Sequence, residues 1–227
     1  MAPTATVERR AAPARAVPGP LDRREWWALR WVAEQGVTRL DVVGALLGGD
    51  EPLPADRVRR VVDRWRRAGL IERDRILATG PPFCWPTRAG LRVVGVRQRP
   101  RSPTVGRLDH QHTVSLVRLG VERLGGRAWA GEPTLYRQRR AADDHVADGR
   151  FVTADGTVTA VEVELTVKAA RRLRSIVDDL TLEYGAVLYV VRGVGVRHAV
   201  EQAVDALDEW ARVRIVDLAW FALHSTR

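Results

Sequence analysis

The stretch VTAVEVELTVK, Val158 to Lys168, decides the reading of this chain. On a strand alternate residues share a face, so Val158, Ala160, Glu162, Glu164 and Thr166 point one way. Val161, Val163 and Leu165 point the other. Two glutamates on one face of an otherwise apolar strand repel each other unless a cation or water compensates. The cation is at hand. Of the 37 Lys and Arg residues, Lys168 is the one lysine, six residues after Glu162 and four after Glu164. An ammonium is a compact point charge whose pKa moves readily on burial, and a guanidinium does not replace it where a proton is handled.

Upstream, Asp155-Gly156 supplies a hairpin turn between Val158–Leu165 and an expected strand over His145–Val152. That strand carries Asp148 near its middle and lets it converge with Glu162. Oxygen ligands of this kind suit Mg²⁺ or Mn²⁺, which use one or two carboxylates completed by water and phosphate. Lys168 is expected in the first turn of a helix over 167–182. The helix dipole disfavours a cation there, so its position calls for an anion, Glu164 or a bound phosphate. A structural ion pair between Glu164 and Lys168 is the simpler alternative.

Downstream, Ala186–Val191 is an unbroken apolar strand, Val196–Trp210 a helix and Val213–Leu218 a final strand. An apolar strand between helices is buried on both faces. With a helix over His110–Leu124 and strands over Arg127–Ala130 and Leu135–Arg137, the C-terminal part is an α/β domain on a mixed sheet with helices on both sides.

The first half differs in charge. Residues 1–108 contain 21 Arg against 11 Asp and Glu, and residues 109–227 contain 16 Lys and Arg against 17 Asp and Glu. The net +9 of the 227-residue chain thus sits in its N-terminal half. Such a basic surface points to a polyanion, nucleic acid or an anionic membrane surface. Residues 1–20, rich in Ala, Pro and Arg, read as a disordered arm. Helices are expected over Leu21–Glu34, after Thr38 as cap, and over Ala55–Ala68 with Gly69 closing it. Two short strands, Leu70–Leu77 and Pro82–Trp85, follow, then a short helix capped by Thr87. Three helices and a two-stranded ribbon make a winged helix-turn-helix over 21–96.

In the third helix Arg57, Arg60, Arg64 and Arg67 share the face opposite Val58, Val61, Val62 and Trp65, with Arg59 and Arg66 flanking. Arg73 and Arg75 lie on the ribbon. A guanidinium-faced second helix of a helix-turn-helix enters a major groove, where arginine meets phosphates or guanine edges. Double-stranded DNA is therefore the expected partner; a solvated charged face is the alternative. Residues 97–108, with Arg97, Arg99, Arg101, Arg107 and two prolines, read as a basic linker to the domain at 109–227.

Cys84 is the single cysteine, which leaves no intrachain disulfide or cysteine-based zinc site and fits a reducing cytoplasm. No apolar run approaches a membrane span, and the N-terminus lacks a signal-peptide core, so a cytoplasmic protein is expected. His110, His112 and His145 make no metal-ligand spacing and read as capping or packing residues. Asp143-Asp144 reads as a solvated turn. Trp220-Phe221 is apolar enough to dock on the core or on a second subunit, which allows a homodimer.

The run His145-Val-Ala-Asp148-Gly followed by Ala160-Val-Glu162-Val-Glu164-Leu-Thr-Val-Lys168 resembles the PD-(D/E)xK nuclease-like core. The whole span 21–218, including Pro86-Thr87-Arg-Ala-Gly90, resembles the replication-relaxation family of bacterial plasmids and integrative elements. The resemblance implies that Asp148 and Glu162 are metal ligands and that Glu164 or Lys168 handles the water. It implies a catalytic set of Asp148, Glu162, Glu164 and Lys168, and replication or mobilisation proteins as further partners. Two departures stand out: Ala147 replaces the proline before Asp148, and Glu164 stands where lysine is usual. The expected function is thus a DNA-binding protein that is either a metal-dependent endonuclease or nickase, or a non-catalytic initiator, accessory factor or regulator.

Overall fold

The computed structural model describes residues 21–138 and 145–224; the N-terminal arm and Asp143-Asp144 lie outside them. Asp22 caps α1 (Arg23–Gln35) by accepting the Glu25 N–H at 2.8 Å, which satisfies one of the free donors of its first turn. One face of α1, with Ala28, Leu29, Trp31 and Val32, is buried. A two-residue strand, β1 (Thr38–Arg39), leads into α2 (Leu40–Gly48), apolar but for the exposed Asp41 in its first turn. Thr38 thus pairs in a sheet opposite Cys84, and the cap position of the helix falls on Arg39 instead.

Helix α3 (Ala55–Arg67) buries Val58, Val62 and Trp65 and turns its arginines outward. Gly69, at φ +69°, follows Ala68 and takes the left-handed turn out of the helix. β2 (Ile71–Asp74) and β3 (Phe83–Pro86) pair antiparallel, and the sheet runs β1-β3-β2. Thr87 caps α4 (Arg88–Val93) by accepting the Gly90 N–H at 3.1 Å.

The second sheet has the order β4-β5-β6-β7-β8, with β4 (Arg127–Gly131), β5 (Gly149–Val152), β6 (Val158–Glu164), β7 (Ala186–Val191) and β8 (Val213–Asp217). β4, β5 and β6 run antiparallel, and β6, β7 and β8 run parallel, so the sheet is mixed. α7 (Ala170–Glu183) and α8 (Val194–Asp205) cover one face through Leu173, Ile176, Val196 and Val200 against Ala160, Val187 and Tyr189. α5 (Leu108–Arg123) and α9 (Leu218–His224) cover the other, against Val161, Val163, Leu188 and Val190. Phe221 of α9 is buried in that second layer.

Helix α5 also packs on the first half of the chain. Arg118, only 3 % exposed, bonds Glu34 at 2.7 Å and Glu122 at 2.8 Å and stacks over Trp31 at 4.3 Å. The indole N–H of Trp31 donates to Glu122 at 2.7 Å, closing the network.

Three further local expectations change. Leu135–Arg137 is not a strand but part of α6 (Glu132–Gln138). Pro133 fits a helical first turn, where its missing N–H costs nothing, and a strand-like run of three residues is too short to outweigh it. The strand before the hairpin starts only at Gly149, so Asp148 stands at its entrance. Lys168 lies in the segment between β6 and α7, two residues before the helix and outside its first turn, where Glu164 supplies the compensating anion.

Candidate functional site

Two groups of residues carry chemistry. The first is the outer face of α3. Arg57, Arg59, Arg60, Arg64, Arg66 and Arg67 are all exposed. Their spacing around 3.6 residues per turn places them opposite Val58, Val62 and Trp65. They are not equivalent. Arg60 meets Asp56 one turn earlier at 3.0 Å in solvent, a contact of little energy. Arg67 donates to the Asp63 carbonyl at 3.4 Å. Arg64 is committed to the buried Glu25 of α1 by an ion pair. Arg73, on β2, reaches back to Asp63 at 2.9 Å. Arg75 is exposed and donates to the Gly80 carbonyl at 3.0 Å, bracing the β2–β3 connection. Arg64 and Arg73 therefore tie α3 to its neighbours, while Arg57 and Arg59 project without an ion-pair partner among the described residues.

The second group gathers at the carboxyl end of β6, the central strand of its sheet. Sites form outside the carboxyl ends of parallel strands because helices leave the crevice there open. Glu162 lies beside Tyr189 and Glu164 beside Val191 in the β6–β7 register. Both glutamates are 3 % exposed and share a face with Ala160, as the alternation predicts. The antiparallel β5–β6 ladder ends at Gly149 and Val161. Asp148 extends it with a side chain: its Oδ2 accepts the Val163 N–H at 2.8 Å. This draws Asp148 onto the strand that carries the glutamates.

Each carboxylate has a basic partner. His110 of α5 holds Asp148 Oδ1 at 2.7 Å through Nε2. His145 Nε2 meets Glu162 Oε2 at 3.1 Å. Lys168 pairs with Glu164 and lies 3.9 Å from Glu162 Oε1. The cluster thus sets three carboxylates against one ammonium and two imidazoles, so with all three carboxylates ionised it is neutral when both imidazoles are protonated. The pKa shifts follow. Burial works against a charge on His110 and His145, but the carboxylates of Asp148 and Glu162 outweigh it and raise both. Burial and the nearby Asp148 charge raise Glu162, with His145 and Lys168 partly offsetting them. The Tyr189 hydroxyl, buried without a hydrogen-bond partner, has its pKa raised by burial and by Glu162, Glu164 and Asp148.

The structure brings together Asp148, Glu162, Glu164 and Lys168, the four residues expected from the sequence. It adds His110, His145 and Tyr189. His145 stands only three residues before Asp148, but His110 comes from a distant helix and no spacing connects it to Glu162. Tyr189 was hidden in an apolar run. His112 behaves differently: buried, with Nδ1 unpartnered, its pKa is pushed down to about 4 by burial and by Arg39. Packing is its role.

A divalent cation needs open oxygens. Among the described residues no three His, Cys, Asp or Glu side chains are grouped to hold a metal ion. Both oxygens of Asp148 already accept hydrogen bonds, and Glu162 is held between His145 and Lys168. As arranged, the residues do not fit Mg²⁺ or Mn²⁺. Cys84, in β3, is buried and its thiol pushed up to about 12 by burial, with Arg73 pulling the other way, so it is inert packing.

Comparison with known proteins finds no matching family model, no similar curated protein and no similar solved structure. Among the described residues no helix is long and apolar enough to cross a membrane.

Proposed function

We propose that this chain is a double-stranded DNA-binding protein of plasmid or mobile-element replication or mobilisation. In this reading residues 21–96 are a winged helix-turn-helix: α2 and α3 form the helix pair and β2–β3 the wing. The outward arginine face of α3 is the observation that carries it. Arg57, Arg59 and Arg60, in the N-terminal half of α3, lie where a recognition helix meets base edges. Arg66, Arg67 and Arg75 supply phosphate contacts. The C-terminal domain is a nuclease-like scaffold whose polar cluster is held closed by its own histidines, which favours a non-catalytic role in positioning DNA or replication partners. The placement in mobile elements rests on the resemblance of the Asp148–Gly149 and Glu162–Lys168 motifs to the replication-relaxation family.

Titration of duplex DNA by fluorescence anisotropy across a salt series tests this. The logarithm of affinity should fall linearly with the logarithm of salt, as phosphate contacts release counterions. Arg57→Ala and Arg60→Ala should each weaken binding by about 1–3 kcal/mol if they read guanine edges, and by less if they touch phosphate alone. Arg64→Ala acts mainly on stability, because Arg64 serves Glu25. Duplex affinity unchanged in the Arg57/Arg60 double variant would remove α3 from the interface.

The convergence of Asp148, Glu162, Glu164 and Lys168 favours phosphodiester hydrolysis as the second reading. It requires His110 and His145 to release their carboxylates. Supercoiled plasmid incubated with Mg²⁺ or Mn²⁺ decides: nicking lost in Glu162→Ala and Lys168→Ala, with DNA binding kept, establishes the enzyme. Intact plasmid with wild-type protein leaves the scaffold reading in place.

A further inference from the structure

The segment between the two halves of the chain is more than a tether. Gln98 hydrogen-bonds the Ala33 carbonyl at the end of α1 and so fixes the segment against the first half of the chain. On its other side it forms, with α6, a groove of about 690 Å³. Arg97, Arg99 and Arg101 line one wall, and Pro133, Tyr136 and Arg137 line the other. Arg97, Arg99 and Arg137 have no ion-pair partner among the described residues. Arg101 is loosely shared with Glu132 at 3.8 Å, and Arg107 meets the same carboxylate at 3.0 Å. Tyr136 is 48 % exposed.

Beside this groove lies a narrow cleft of about 30 Å³. Arg101 and Pro133 belong to both, and the cleft is further lined by Arg107, His110 and Asp148. The groove itself is lined by four arginines and one aromatic ring, and the cleft is too small to admit a nucleotide. A duplex is too wide for such a groove. A single strand is not: its phosphates can follow the guanidinium groups while a base lies on the exposed ring, an interaction open to any base because every base has a π face.

We propose that the groove between residues 97–101 and α6 binds single-stranded DNA next to the cleft that Asp148 lines. This rests on the reading of the chain as a DNA-binding protein and specifies the form of DNA met by the C-terminal domain.

The test uses the full chain and two fluorescein-labelled probes, an oligo-dT of about 12 nucleotides, within the range of known single-strand site sizes, and a duplex. Tyr136→Ala should weaken oligo-dT binding about tenfold, the scale of one lost base stack, while Tyr136→Phe keeps it. Duplex binding should be the same in both. Arg99→Ala with Arg137→Ala should lower oligo-dT affinity and flatten its salt dependence. The Arg57/Arg60 double variant should do the reverse, losing duplex and keeping oligo-dT. If Tyr136→Ala leaves oligo-dT binding unchanged, or if duplex binding falls in parallel with it, the single-strand groove is overturned even where α3 stands. If the α3 variant leaves duplex binding intact while Tyr136→Ala still weakens oligo-dT, the α3 reading fails and the groove survives.

Discussion

Gly90 shows how a single hydrogen atom in place of a side chain can be obligatory. A Cβ built at this position would lie 2.0 Å from the Leu70 carbonyl oxygen, which is backbone and cannot swing away. Thr87 fixes the same joint from the other side: its hydroxyl donates to the Gly69 carbonyl at 2.6 Å and accepts the Gly90 N–H. Gly90→Ala must separate α4 from the start of β2, and overpacking of this kind costs about 3 kcal/mol. A chemical-denaturation midpoint unchanged by Gly90→Ala would contradict this close approach. The same scale explains why Lys168 is a lysine. It sits beside two buried glutamates, reaching both with one small cationic head, where a planar guanidinium would need more room.

Helix α5 performs three tasks at the element scale. Its first turns present His110 to Asp148, its apolar side packs on Val161 and Val163, and its Arg118 reaches α1. Arg118 is the point of greatest consequence. Removing it leaves Glu34 with Arg30 alone and Glu122 with the Trp31 indole N–H alone, and takes away a second donor, 3.4 Å from the Trp31 carbonyl. Because both glutamates keep some solvent contact, Arg118→Ala should cost about 3 kcal/mol, the lower end for breaking a buried ion pair. Thermal melting is the check, and a loss under ~1 kcal/mol would mean that the Trp31–Glu122 hydrogen bond holds α1 and α5 together alone.

Charge sets the behaviour of the whole molecule. His110, His145 and Glu162 all have pKa values raised by folding. For a raised group, the stabilisation is fully present below its unfolded pKa and is lost as pH climbs through the folded value. The imidazoles, ordinarily near ~6.5, therefore stabilise the protein below that pH and cease to do so as the pH rises through their raised values. Glu162 acts in the same direction from its ordinary carboxylate range upward. The melting temperature should thus be higher near pH ~6 than near pH ~9, and His110→Gln with His145→Gln should flatten the difference. A wild-type melting temperature independent of pH over that interval would show that the two imidazole–carboxylate pairs contribute nothing to stability.

Sequence by itself determined what depends on local periodicity. The apolar stripe of α3 named both its buried residues and its arginine face, because 3.6-residue spacing fixes which side chains share a side. The alternation in β6 likewise put Glu162 and Glu164 on one face, and Asp155-Gly156 marked the turn, with Gly156 at φ +90°. Only the tertiary structure decided what meets those faces. His110 reaches Asp148 across 38 positions of sequence, and Arg192 of the β7–α8 turn reaches Asp109 across 83, through packing that no local pattern encodes. Arg64 looked identical to Arg57 until α1 brought Glu25 beside it. The partners of a charge are set by which elements the hydrophobic core brings together, and that choice belongs to the whole chain at once.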